Sequence, residues 1–351
     1  MLKLNETPVR TARNFRINNI KLDDVKIPKK INEFNSLETI CDDTKVKIED
    51  NTSKINLVYG LSEELTNQVI QNSNKRINIE INSKTNKEIG FNFNFDKDNN
   101  ELIEDIEINA NEGTKETIII KYVSREIDCY HNGVIRVNAK KDANINIIVV
   151  NLLNDNSDNF LSIQNNIEDN AKVNYCIIDF GGKNSITNYY SNIIGEKADN
   201  RLNTIYLGNK NQVFDLNYIA ELRGEKSNID IEVQGALKDN AKKNFKGTID
   251  FKRGCKKATG NENENCMLLS DTAKSLALPM LLCSEEDVEG NHSSSAGKAD
   301  EKELFYIMSR GFDHKAAMKL MVRARFNKIL ESIKNQAIKN EIIYEIDKRL
   351  D

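Results

Sequence analysis

The chain has 351 residues, with 50 basic and 54 acidic side chains, a net charge of −4, 7% aromatic residues and no Trp. That balance offers no basic stripe for phosphate, which disfavours nucleic acid as the main partner. No run of about 18 apolar residues marks a membrane span, and the polar start MLKLNETPVRTARNFRINN lacks the apolar middle of a secretory signal.

Six scattered cysteines form no CxxC pair, which predicts free thiols in the cytoplasm. Residues 1–74 read as a mixed, partly helical region in which Arg10, Arg13 and Arg16 form a solvated basic face. LSEELTNQVIQNS predicts a short helix begun by Ser62, with Leu61, Leu65, Val69 and Ile70 roughly on one side.

From Lys75 the period becomes two. RINIEINSK and GFNFNFD alternate Ile and Phe with polar neighbours, and VIRVNAK, ANINIIVV, KVNYCIID, RLNTIYLG and NIDIEVQG repeat the pattern. This predicts half-buried strands across residues 75–278. Ala143, Ala171, Ala198, Ala241 and Ala273 each have Asp or Asn beside them or close by, at a turn into the next strand, at irregular steps of roughly thirty residues, the range of solenoid repeats. A parallel β-helix fits best, with small residues at its tight corners; a β-sandwich is the rival architecture.

Residues 279–351 read as helical. Asp300 is placed to cap a helix with Glu303 completing a capping box, and Gly311 to end it. Asp313 starts a second helix with the stripe Ala317, Leu320, Met321, Ala324, Ile329 and Leu330, and Ile338, Ile342, Ile346 and Leu350 mark a third.

Phosphate-loop, dinucleotide-binding, HExxH and GxSxG signatures are absent from the sequence. His131 is expected at a turn, with Cys129 two residues before it, His314 in a first helical turn, and Cys176 in the core. His292 stands out, in a Ser- and Gly-rich segment that reads as a flexible loop before the first C-terminal helix. Imidazole and thiolate both suit iron, so Cys266 and Cys283, upstream of that segment, are its candidate companions, although their spacing is not that of a zinc site.

The run MLLSDTA, Pro279, EEDVEGNH, HSSSAG and LFYIMSRG resembles, in order, the SufB/SufD family of iron–sulfur cluster assembly scaffolds. The resemblance implies a right-handed parallel β-helix core with small helical N- and C-terminal regions. It also implies a non-enzymatic scaffold that carries a transient iron–sulfur cluster or iron, not retained on aerobic purification. Its partners would be a SufC-type ABC ATPase, a SufB-like or identical subunit, and a cysteine desulfurase as sulfur source. His292 matches the family's cluster-handling histidine, with Cys266 and Cys283 as further candidate ligands. Leu304, Phe305, Tyr306, Ser309, Arg310 and Gly311 fall in the segment that contacts SufC.

The cysteine position of SufB members falls near Glu264, two residues from Cys266 and on the same strand face. Asn291 and Ser293 replace the glutamates that flank the histidine there, so the chain looks more like SufD. An adaptor that holds SufC without touching iron, or, remotely, a β-helix carbohydrate-active enzyme, are the alternative functions.

Overall fold

The computed structural model describes residues 1–11, 17–29, 31–41, 46–83, 88–124 and 126–351. Arg13 and Arg16 of the expected basic face lie outside the described residues. The N-terminal region holds strands β1 (Leu2–Leu4), β2 (Ile20–Leu22), β3 (Leu37–Ile40) and β4 (Val46–Glu49) and helix α1 (Glu63–Asn72). Then come β5 (Lys75–Ile81), β6 (Glu88–Asn94), β7 (Glu101–Ala110), β8 (Lys115–Val123), β9 (Tyr130–Ala139) and β10 (Asn144–Leu152). The series continues through β11 (Asp158–Ile167), β12 (Lys172–Asp179), β13 (Asn184–Ile193), β14 (Asp199–Gly208) and β15 (Val213–Leu222). It ends with β16 (Asn228–Leu237), β17 (Lys242–Phe251), β18 (Ala258–Leu268), β19 (Lys274–Cys283) and β20 (Val288–Lys298). Helices α2 (Glu301–Ser309), α3 (His314–Leu330) and α4 (Gln336–Leu350) follow.

From β5 onward the chain alternates between two nine-stranded sheets, odd-numbered strands in one and even-numbered strands in the other, each stacked in parallel. This is the expected parallel β-helix. β3 and β4 close its N-terminal end by antiparallel pairing with β6 and β5. Alternate residues turn into the lumen, where Ile106, Ile135, Ile163, Tyr189 and Tyr218 stack in register on the odd sheet. Many strands of the middle coils are buried on both faces because their outer faces are also covered. Met321, Phe326, Ile329, Ile342 and Ile346 of α3 and α4 pack on Ile148, Ile178 and Ile205 of the even sheet. Leu4, Leu65 and Val69 pack on Ile103, Val134 and Phe160 of the odd one. No described helix is long and apolar enough to cross a membrane.

The corner residues correct the repeat. Ala143, Ala171 and Ala198 share one corner with Ser227 and Ala258, whereas Ala241 and Ala273 belong to the other. At the first corner Asp142, Asn170, Lys197, Lys226 and Lys257 take positive φ, a left-handed step just before each small buried residue. Two corners with similar turn chemistry had merged into one irregular period.

The helix caps match expectation: Ser62, Asp300 and Asp313 accept from backbone amides at the starts of α1, α2 and α3, and Gly311 (φ 98°) follows the end of α2. Leu320 and Ala324 depart from the predicted stripe: both are exposed, Leu320 at 43%, while Ala317, Met321, Ile329 and Leu330 are buried.

Residues 279–283 and 288–298 are strand rather than helix or loop, joined by the short connection 284–287. Pro279 is tolerated in mid-strand because β19 is an edge, bonded to β17 alone. The Ser- and Gly-rich segment becomes β20 because a preformed neighbour supplies its pairing. Outward side chains reinforce it: Asn291 Nδ2 donates to Asn261 Oδ1 at 3.1 Å and Ser293 Oγ to Asn263 Oδ1 at 2.7 Å. Weak β propensity is overridden by that template.

Candidate functional site at the open end of the solenoid

β19 and β20 form the last coil, and no described strand pairs with their outer edges. Pleat alternation turns Val288, Gly290, His292, Ser294 and Ala296 of β20 into the lumen, in register with Ala258, Gly260, Glu262, Glu264 and Cys266 of β18. The bond from Ser294 Oγ to Glu264 Oε2, 2.8 Å, confirms which face is which. His292 therefore sits on a strand at the mouth of the tube, exposed among the described residues.

One coil deeper, charge is fully enclosed. Lys243 Nζ of β17 donates to Glu264 Oε1 at 2.6 Å with both side chains 0% exposed, and Tyr206 Oη donates to the same oxygen at 3.1 Å. Tyr206 reaches Glu264 by lying over Gly235, where a Cβ would stand 1.8 Å from the ring. Cys266 is buried beside this cluster, beneath Ala296. Burial raises its thiol pKa, against the opposing pull of the Lys243 ammonium. Glu264 and Cys266 do share the lumen face, as the two-residue offset requires.

Glu262, two residues from Glu264, is 2% exposed, and neither carboxylate oxygen has a hydrogen-bond partner among the described residues. Burial, then the neighbouring Glu264, pushes its pKa up to about 8. Its carboxylate crosses the lumen to Gly247 of β17, where a Cβ would lie 1.9 Å from Oε2.

The three sequence-predicted ligands do not converge. Cys266 pairs with Ala296, four residues beyond His292, about 13 Å along the strand. Cys283 is exposed at the end of β19, four residues beyond Pro279, with Sγ 2.9 Å from the Glu285 carbonyl oxygen. β19 and β20 run in opposite directions across the mouth, so the two thiols lie towards opposite ends of it. Among the described residues no three His, Cys, Asp or Glu side chains form a metal-holding group.

His131 is not at a turn: it is wholly buried in the lumen on β9, with Nδ1 2.6 Å from Asn159 Oδ1 and Nε2 3.3 Å from Glu104 Oε1. Cys129 is buried beside it and hydrogen-bonded to Ser157. His314 opens α3 as expected, and Cys176 is buried in the core beneath α3 and α4. Sequence reasoning missed Glu262, and marked Glu264 only as a position and not as a buried charge. The signal was the alternation NENENC, with the asparagines outward and the glutamates inward.

A second surface follows directly. α2 has no buried residue; Phe305 is 74% and Tyr306 58% exposed. Ser309 Oγ donates to the Tyr306 carbonyl oxygen at 2.7 Å, and the Arg310 guanidinium lies 5.0 Å from the centre of the Tyr306 ring. A groove of about 660 Å³ between α2 and α3 is lined by Lys302, Tyr306, Ile307, Leu320, Met321 and Arg325 among others.

Residues 93–325 match the family model described as SUF system FeS cluster assembly, SufBD core domain. The iron-sulfur cluster assembly protein SufD of Bacillus subtilis is 24% identical over 180 residues, covering 51% of this chain and 41% of the relative. SufD of Escherichia coli is 24% identical over 242 residues, 68% of this chain and 57% of the relative. An iron-sulfur cluster assembly SufBD family protein of Pyrococcus horikoshii is 31% identical over 154 residues, 43% of this chain and 33% of the relative. These matches span about half the length, or less, of the relatives.

Proposed function

Because the chain belongs to the SufBD core family of the SUF iron–sulfur cluster assembly system, we propose that it is a non-catalytic scaffold subunit of a cytoplasmic SUF-type complex. It works with a SufC-type ATPase and with a SufB-like or identical subunit, and takes sulfur that originates from a cysteine desulfurase. The observation that carries this reading is the place of His292, exposed on the lumen face of a last coil with which no further described strand pairs. An imidazole there can ligate iron, which accepts nitrogen, sulfur and oxygen donors, and the described residues gather no three-donor group around it. The unpaired edges of β19 and β20 are a template for a second chain, and such a chain would bring the missing ligands. Cys266 and Cys283 are the candidate thiols on this side of the junction.

The ATPase would dock on α2, through Leu304, Phe305, Tyr306, Ser309, Arg310 and Gly311. The exposure of Phe305 and Tyr306 side by side on one helix supports that reading. Only Ala299 and Asp300 separate β20 from α2, so a docked ATPase would sit next in the chain to the strand that carries His292.

Anaerobic reconstitution with ferrous iron and sulfide, on the complex with its SufC-type ATPase, tests the scaffold role. Visible absorption of a bound cluster is expected with the wild-type chain and its loss with His292→Ala; undiminished absorption in the variant overturns the reading. The adaptor alternative is favoured by the failure of three donors to converge. It predicts ATPase binding with no cluster absorption from either protein.

A further inference from the structure

One lumen ladder changes character at the mouth. Ile89, Ile118, Ile147, Tyr175, Leu202 and Ile231 stack in register through the even sheet, and the next two rungs are Glu262 and His292. Another aliphatic side chain in the Glu262 rung would continue the column at no electrostatic cost. A carboxyl group buried without a partner is instead a standing penalty, and stability gives no reason for it.

The neighbouring carboxylate is already engaged: Glu264 is held by Lys243, Tyr206 and Ser294. Glu262 has none of these, and Gly247 leaves open the space its carboxylate occupies. Its neighbour in register is the exposed imidazole of the last coil, so a small ion entering the mouth meets nitrogen first and oxygen next. One imidazole and one carboxylate suit a borderline divalent cation better than a soft one.

We propose that Glu262 and His292, adjacent rungs of this ladder, form a two-donor seat for a divalent cation, ferrous iron in the assembling complex. Its remaining positions go to water or to the apposed chain. This deepens the reading of His292 as an iron ligand and rests on it.

The test is anaerobic titration with Co2+ alone, followed by visible absorption and calorimetry. A His314→Ala background removes the other exposed imidazole, since His131 is fully buried. One Co2+ per chain is expected. Glu262→Gln should weaken binding at least about tenfold, the lower end of what even outer-shell changes cost a metal site, without lowering the melting temperature. Glu262→Leu, which continues the apolar ladder, serves if the amide variant folds poorly. The seat is overturned if both variants bind Co2+ as tightly as the parent, or if the parent binds none. Cluster formation that survives Glu262→Gln but not His292→Ala also removes this seat while leaving His292 in place. Cluster formation that survives His292→Ala removes the reading beneath it.

Discussion

Lys243 Nζ and Glu264 Oε1 lie 2.6 Å apart inside the tube, with neither side chain reaching solvent. Their strands, β17 and β18, belong to opposite sheets, so the pair ties the two walls together one coil below the mouth. Removing one partner strands the other charge in the lumen, which typically costs about 3–5 kcal/mol. Lys243→Met and Glu264→Gln should each destabilise strongly in urea titrations, and the double change Lys243→Met with Glu264→Leu should cost less than the sum of the single changes. Single variants as stable as the parent would show that the ion pair is not formed.

Asp179 supplies a pH signature away from the mouth. Burial raises its pKa to about 6, against the hydrogen bonds from Ser185 and Asn151 that favour its charged form. The folded chain thus holds this proton to higher pH than the unfolded chain, whose aspartate titrates near its ordinary 3.8. The unfolded state binds fewer protons in that window, so this group's stabilising contribution is complete below pH 4 and is lost as pH rises to about 6. Asp179→Asn should flatten the fall, by on the order of 3 kcal/mol across the window. Parallel stability curves for the two proteins between those limits would contradict the assignment.

Gly247 is required by a close approach, not by its dihedral angles. Gly247→Ala places a methyl group against Glu262 Oε2, an overpacking that typically costs about 1–3 kcal/mol. Shortening the facing side chain in Gly247→Ala, Glu262→Ala should recover part of the loss in thermal melts. No recovery would mean that the strand itself, rather than the carboxylate, rejects the methyl group.

Phe305 and Tyr306 face solvent, so Phe305→Ser and Tyr306→Ser should change stability by no more than about 0.5 kcal/mol. If the helix docks the ATPase, each should weaken that complex by about 2 kcal/mol, roughly thirtyfold. Calorimetry with the purified ATPase checks this; unchanged affinity would move the interface elsewhere.

Much of this was legible from residue order. Period-two runs marked the strands, small residues near Asp or Asn marked corners, and Ser62, Asp300 and Asp313 marked helix starts. Those signals are local: a cap or a pleat is decided within a few residues of itself. The segment from Pro279 to Lys298 was misread because its composition is that of a loop, and only a partner strand some thirty residues upstream makes it extend.

The two-residue offset by itself put Glu264 and Cys266 on one face; that Glu262 joins them, and that His292 and Ser294 share the face of a strand at all, came with the pairing of β20 on β18. Which face points inward, and which rung stands beside which, was decided only when the coils stacked. A one-residue slip in pairing would turn every one of these side chains outward. The tertiary structure therefore chose between a harmless row of surface glutamates and a buried carboxylate beneath an exposed imidazole, because register is a long-range property that no short stretch of sequence contains.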